Sequence, residues 1–221
     1  MSAYVDASAG TPPARPLLIL DVDGVLNTAS MAGGTTLHPK LLKRLAGLIV
    51  DTECDVVLST TWRLREKPTE ILLLSLEKVG VPRARVVGRT PRLELRDLPA
   101  GADTGCSDLG EAHRAHEIVA FVDGLARADD APAAGGGDDD GGAPPRTWAA
   151  VDDLDLLRCA PTRGMLEGHF VRTSDESGLT ERACDALRAI LRPPPPDAPD
   201  ALFEPQPAAA SEEAAVATDG R

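Results

Sequence analysis

Four aliphatic residues followed at once by two carboxylates constrain this chain more than any other stretch. Residues 17–27 read Leu-Leu-Ile-Leu-Asp-Val-Asp-Gly-Val-Leu-Asn. An unbroken apolar run of this length has the pattern of a strand covered on both faces, as in a parallel sheet. Its end carries Asp21 and Asp23, with Gly24 directly behind. Two acids one residue apart at the end of a buried strand repel each other and resist desolvation. A fold retains such a pair where a cation sits between them or where one of them does chemistry. A polar turn is the plainer alternative, because Asp and Gly are ordinary turn residues. An EF-hand calcium loop does not fit, because the acidic ligands of its later positions are missing.

Later stretches carry groups of matching chemistry. Asp55 to Leu58 reads as a second strand and runs into Ser59-Thr-Thr-Trp-Arg63. Hydroxyls and backbone amides donate to phosphate oxygens, and Arg can do so in bidentate fashion. The alternative is a Ser/Thr-rich turn. Thr147 to Val151 reads as a fourth strand and again ends in paired acids, Asp152 and Asp153. Asp21, Asp23, Thr60 and Asp152 thus all follow predicted strands. In an open α/β sheet, ligands bind outside the carboxyl ends of the strands, so one cleft can collect all four.

The order and wording of these motifs resemble the haloacid dehalogenase (HAD) superfamily. Leu-Asp-Val-Asp-Gly-Val-Leu-Asn is similar to its opening signature. Leu-Ser-Thr-Thr-Trp-Arg resembles the second motif of a HAD subgroup associated with RNA-repair-type proteins, as do Arg114-Ala-His-Glu-Ile118 and the Gly-Leu-Thr that ends at Thr180. The resemblance covers roughly residues 16–192 and implies a three-layer Rossmann-like α/β fold with a mostly parallel sheet and a central first strand. It implies a Mg2+-dependent phosphatase in which Asp21 is the nucleophile and Asp23 the acid/base. Thr60, or alternatively Ser59, and Arg114 would hold the phosphoryl group, with Arg63 and Gly24 as further substrate contacts. Asp21, the Asp23 backbone carbonyl and one or both of Asp152 and Asp153 would bind the metal. Arg at position 114 replaces the more usual Lys, and it cannot donate a proton at ordinary pH.

The intervening sequence supports an alternating strand–helix chain. Pro39 suits the first turn of a helix whose stripe is Leu41, Leu42, Leu45, Leu48 and Ile49. Pro68 opens a second, apolar nearly all round from Ile71 to Val79 and so expected to be well buried. Arg85 to Val87 is a short third strand, residues 99–112 a loop, and His113 to Leu125 a third helix. His113 and His116 have a metal-compatible spacing, but no Cys stands at a matching helical position. Residues 169–172 read as a fifth strand, and Thr180 caps a last helix. About 30 residues separate the first two motifs, too few for a large cap domain. An open site of this kind suits a bulky or macromolecular phosphomonoester, and the subgroup resemblance points to a nucleic-acid end. A catalytically weak HAD-fold binding module is the alternative.

Charge enters through its distribution. The net charge is -12, with 23 Lys/Arg and 35 Asp/Glu. Residues 15–125 hold 14 and 15 of these and residues 146–192 hold 7 and 8, leaving 2 and 12 elsewhere. The domain is therefore nearly neutral, and the acidity belongs to residues 1–15, a Gly/Asp/Pro-rich stretch at 126–146 and the tail from 193 to 221. Those segments read as disordered or flexible. Five Arg between residues 83 and 96 form either a solvated loop or a rim that attracts phosphorylated substrate. The four cysteines are widely spaced and lack a Cys-x-x-Cys pair. With no secretory signal in Met-Ser-Ala-Tyr-Val-Asp, reduced thiols in an intracellular, cytoplasmic monomer are expected, without a membrane span.

Overall fold

The computed structural model describes residues 14–29, 36–129 and 146–192. The expected tails and most of the 126–146 insertion lie outside the described residues. Five strands, β1 (Leu17–Leu20), β2 (Asp55–Leu58), β3 (Val86–Arg89), β4 (Trp148–Asp152) and β5 (Phe170–Arg172), form one sheet in the order β3-β2-β1-β4-β5. Every pairing is parallel, and β1 is central. Helices α1 (Pro39–Thr52), α2 (Glu66–Lys78), α3 (Leu109–Asp129), α4 (Ala160–Leu166) and α5 (Glu181–Leu191) complete it.

The alternation of β1 explains its unbroken apolar run. Leu18 and Leu20 point into a core built with Leu45, Leu72 and Leu187, on the side of α1, α2 and α5. Leu17 and Ile19 point into a second core with Ala115, Ile118 and Leu166, on the side of α3 and α4. Both faces are thus covered, giving three layers. Each fully buried aliphatic side chain of this kind contributes roughly 1.5–3 kcal/mol. Pro39 stands in the first turn of α1, and His38 caps it by accepting from the Lys40 amide at 3.2 Å. Thr180 caps α5 by accepting from the Ala183 amide at 3.2 Å. Among the described residues no helix is long and apolar enough to cross a membrane.

Three expectations are corrected. Helix α2 is not well buried: Leu72 and Leu76 face the core, while Ile71 and Leu74 are 36% and 45% exposed. A run of four apolar residues, Ile71 to Leu74, exceeds the single stripe that a helix on one face of a sheet can cover. Residues 126–129 belong to α3 rather than to a flexible insertion, and α3 begins at Leu109, within the expected loop. The thiols are not all reduced, since Cys106 and Cys159 form a disulfide across a sequence separation of 53. The loop before α3 lies against the start of α4, where the Ala160 amide donates to Thr104 O at 2.9 Å, and this brings two distant cysteines together. Cys54 and Cys184 are free and buried, and burial pushes the Cys184 thiol up to about 11.

Candidate active site

The parallel ladder carries one step beyond each central strand. The Asp21 amide donates to Val151 O at 3.1 Å, and the Ser59 amide to Leu20 O at 2.8 Å. The Thr173 amide donates to Asp152 O at 2.9 Å. Asp21, Ser59 and Asp152 are therefore set side by side at one carboxyl edge of the sheet. By strand alternation Asp21 shares the face of Ile19, and Ser59 that of Val57, both packed in the core beneath α3.

Helix α3 brings Arg114 down onto this edge. Its Nη1 donates to Asp152 Oδ2 at 2.5 Å and lies 3.1 Å from Asp21 Oδ1. The second contact is an ion pair without hydrogen-bond geometry, so Asp21 Oδ1 is a buried oxygen with no hydrogen-bond partner. Asp152 Oδ1 accepts from the Leu154 amide at 3.0 Å. Burial pushes the Asp21 carboxyl up to about 6, against the pull of Arg114. Burial, then the charge of Asp21, raises Asp152 well above the usual carboxylate range. Burial also raises Asp153.

Asp21, Asp152 and Asp153 each offer an oxygen, all within 4.8 Å of one another. Three hard oxygen donors without His or Cys match an alkaline-earth ion such as Mg2+. Among the described residues Arg114 is the one cation paired with this cluster, and it faces three acids. The residues fit a divalent cation.

Asp23 stands apart from this cluster. Its carboxylate is exposed to solvent and is held from below. Trp62 Nε1 donates to Asp23 Oδ1 and Oδ2, both at 3.1 Å, and Asn27 Nδ2 donates to Oδ1 at 2.8 Å. Neither donor was singled out from sequence. Trp62 stood in the Thr-Trp-Arg run, but its residue type carries no sign of which acid it meets.

Gly24 is not placed as a substrate contact. Its amide donates to Asn27 Oδ1 at 3.0 Å, and its carbonyl accepts from the buried Thr173 hydroxyl at 2.9 Å. Its φ is +70°, and a Cβ there would collide with the Asp153 side chain. The position needs glycine because Asp153 passes so close. Arg63 is also corrected. It is 5% exposed and turned inward, donating to Thr60 O, Thr90 O and Pro91 O at 2.7, 3.1 and 3.0 Å. Its Nη2 pairs with Glu117 at 2.6 Å. Arg63 thus binds the loop after β2, the loop after β3 and α3 to one another. Thr60 is fully buried, and its hydroxyl accepts from the Trp62 amide at 3.3 Å, capping the short turn Thr61–Leu64. Ser59 Oγ accepts from the Thr90 hydroxyl at 3.4 Å. Among the described residues neither hydroxyl donates a hydrogen bond, so the geometry leaves the two candidates open.

A buried Asp beneath an Arg, a second Asp two residues on and an acid pair at the end of the neighbouring strand form a phosphohydrolase-type arrangement. The comparisons agree with it. Residues 17–184 match the family described as the HAD domain in Swiss Army Knife RNA repair proteins. No curated protein and no solved structure matches the chain. With the parallel sheet, the central β1 and the acid cluster on its carboxyl edge all in the same span as the match, the chain belongs to the HAD superfamily, in the subgroup of RNA-repair HAD domains.

Proposed function

We propose that this chain is a Mg2+-dependent phosphatase that works through an aspartyl-phosphate on Asp21, acting on the end phosphate of a nucleic acid. The observation that carries the reading is the orphaned oxygen of buried Asp21 between Arg114 and two further acids, with solvent-exposed Asp23 two residues on. Asp21 attacks phosphorus while the bond to the leaving oxygen breaks, and Asp23 gives that oxygen its proton. Asp23 then takes a proton from water, the resulting hydroxide attacks phosphorus, and Asp21 and inorganic phosphate are released. Arg114 and the hydroxyl of Thr60 or Ser59 hold the phosphoryl oxygens. Asp21, Asp152 and Asp153 would hold Mg2+, which supplies positive charge against the repulsion between an anionic monoester and the nucleophile. The substrate class is supported by the description of the matching family and by the lack of a large cap among the described residues.

A substrate panel tests it. Turnover is measured with Mg2+ and with EDTA on p-nitrophenyl phosphate, free nucleotides, terminally phosphorylated oligonucleotides and phosphopeptides. The expected result is Mg2+-dependent turnover throughout, with kcat/KM for oligonucleotides at least ~10-fold above that for the free nucleotide, as remote contacts assist the reacting centre. Preference for phosphopeptides would overturn the substrate class. An absence of Mg2+-dependent turnover on the whole panel would instead favour a binding module.

A further inference from the structure

We infer that Trp62 and Asn27 are positioning residues for the acid/base Asp23. The inference rests on the proposed role of Asp23. An exposed Asp samples several rotamers, and a general acid must be aimed at the leaving oxygen when the bond breaks. Asp23 is exposed. The two side chains that hold it are not: Trp62 is 5% exposed and Asn27 is 8% exposed.

Each anchor is itself fixed. Trp62 lies in the core with Leu58 and Leu72. Its amide bonds the Thr60 hydroxyl, and its carbonyl accepts from the Thr69 hydroxyl at 2.9 Å. The Asn27 amide can be oriented in only one way, because its Oδ1 accepts from the Gly24 N–H and its Nδ2 must then face Asp23. The clamp therefore ties the Asp-x-Asp-Gly loop to the turn after β2, across a sequence separation of 39.

The two oxygens of Asp23 are not equivalent. Oδ1 accepts from both anchors, while Oδ2 accepts only the longer, shared Trp62 contact. Together the two donors hold the plane of the carboxyl group.

Trp62→Phe tests this, because it deletes one donor and keeps an aromatic ring of similar shape. Turnover is compared on an alkyl phosphate, which needs leaving-group protonation, and on p-nitrophenyl phosphate, which needs little. The expected result is a kcat loss of ~10-fold on the alkyl ester and under ~3-fold on the aryl ester, with KM nearly unchanged, a part of the 100-fold or more that general acids contribute. In an Asp23→Asn background, Trp62→Phe should cost nothing further on the alkyl ester. Asn27→Ala should give the same selective loss, and serves as the second variant if Trp62→Phe fails to fold. Equal losses on both esters, or full additivity with Asp23→Asn, would overturn the clamp. If Asp23→Asn itself is impaired equally on both esters, the acid role fails first and the clamp falls with it.

Discussion

Asp21→Asn should lower kcat by roughly four orders of magnitude or more, the scale seen when a covalent nucleophile is removed. Asn is nearly isosteric, so the fold should persist, and the same substitution should leave the metal-free protein more stable at neutral pH. The sign follows from the raised carboxyl. Asp21 moves from an ordinary value of 3.8 up to about 6, chiefly by burial. The folded state therefore favours the protonated form. That contribution is fully present below about pH 4 and is lost as pH rises through about 6. Between these limits the metal-free wild type loses stability on the order of 2–3 kcal/mol from this group. The variant has no carboxyl to ionise there and should not show the fall. Thermal melts in EDTA at about pH 4 and about pH 7.5 check it. The two proteins should melt together at the lower pH, and the variant should melt higher at the upper one. Near wild-type turnover would remove Asp21 from the nucleophile's role.

The second large effect is on the fold. Arg63→Ala should destabilise the protein by about 3–5 kcal/mol, because it leaves Glu117 as an uncompensated buried charge. It also strands two backbone carbonyls, those of Thr90 and Pro91, while Thr60 O keeps the amide of residue 63. In a domain of this size the loss corresponds to a melting temperature lower by about 10 °C. Arg63→Met combined with Glu117→Met should recover much of it, since no charge then remains buried. Urea denaturation of the single and double variants measures both quantities. If Arg63→Ala kept its stability within about 1 kcal/mol and raised KM instead, Arg63 would be the substrate contact that its place in the sequence first suggested.

Arg63 shows where sequence reading stops. The run of Ser, Thr, Thr and Arg after β2 lies at the sheet edge that carries Asp21 and Asp152, because residue type and strand position carry that much. It does not say whether a guanidinium points out to a ligand or in to a carboxylate 54 residues away. Glu117 was legible only as part of a family pattern. The unbroken Leu17–Leu20 run announced a strand covered on both faces, and the alternation of strands and helices announced the parallel sheet, since both depend on local periodicity. The exposed side of α2 was misread for a related reason. Periodicity reports how apolar a helix is, while the width of its contact with the sheet is a tertiary property. The start of α3 was hidden because Leu109, Gly110 and Glu111 carry no apolar stripe, although Asp108 accepts from the Glu111 amide at 3.0 Å in the manner of a cap. The meeting of Asp21 and Asp152 was readable from strand ends, whereas the same reading placed Asp23 with them and the structure sets it apart. The anchors of Asp23 were not readable, because they depend on where one indole N–H is aimed.

The covalent step can be read directly. Protein turning over a phosphomonoester is quenched in acid within the turnover time, digested and analysed by mass spectrometry. The account predicts that the peptide containing Asp21 carries one phosphoryl group when Mg2+ is present, and that the group is absent in EDTA and in Asp21→Asn. Turnover with no phosphoryl group on that peptide, or with the group on any other residue, would contradict it.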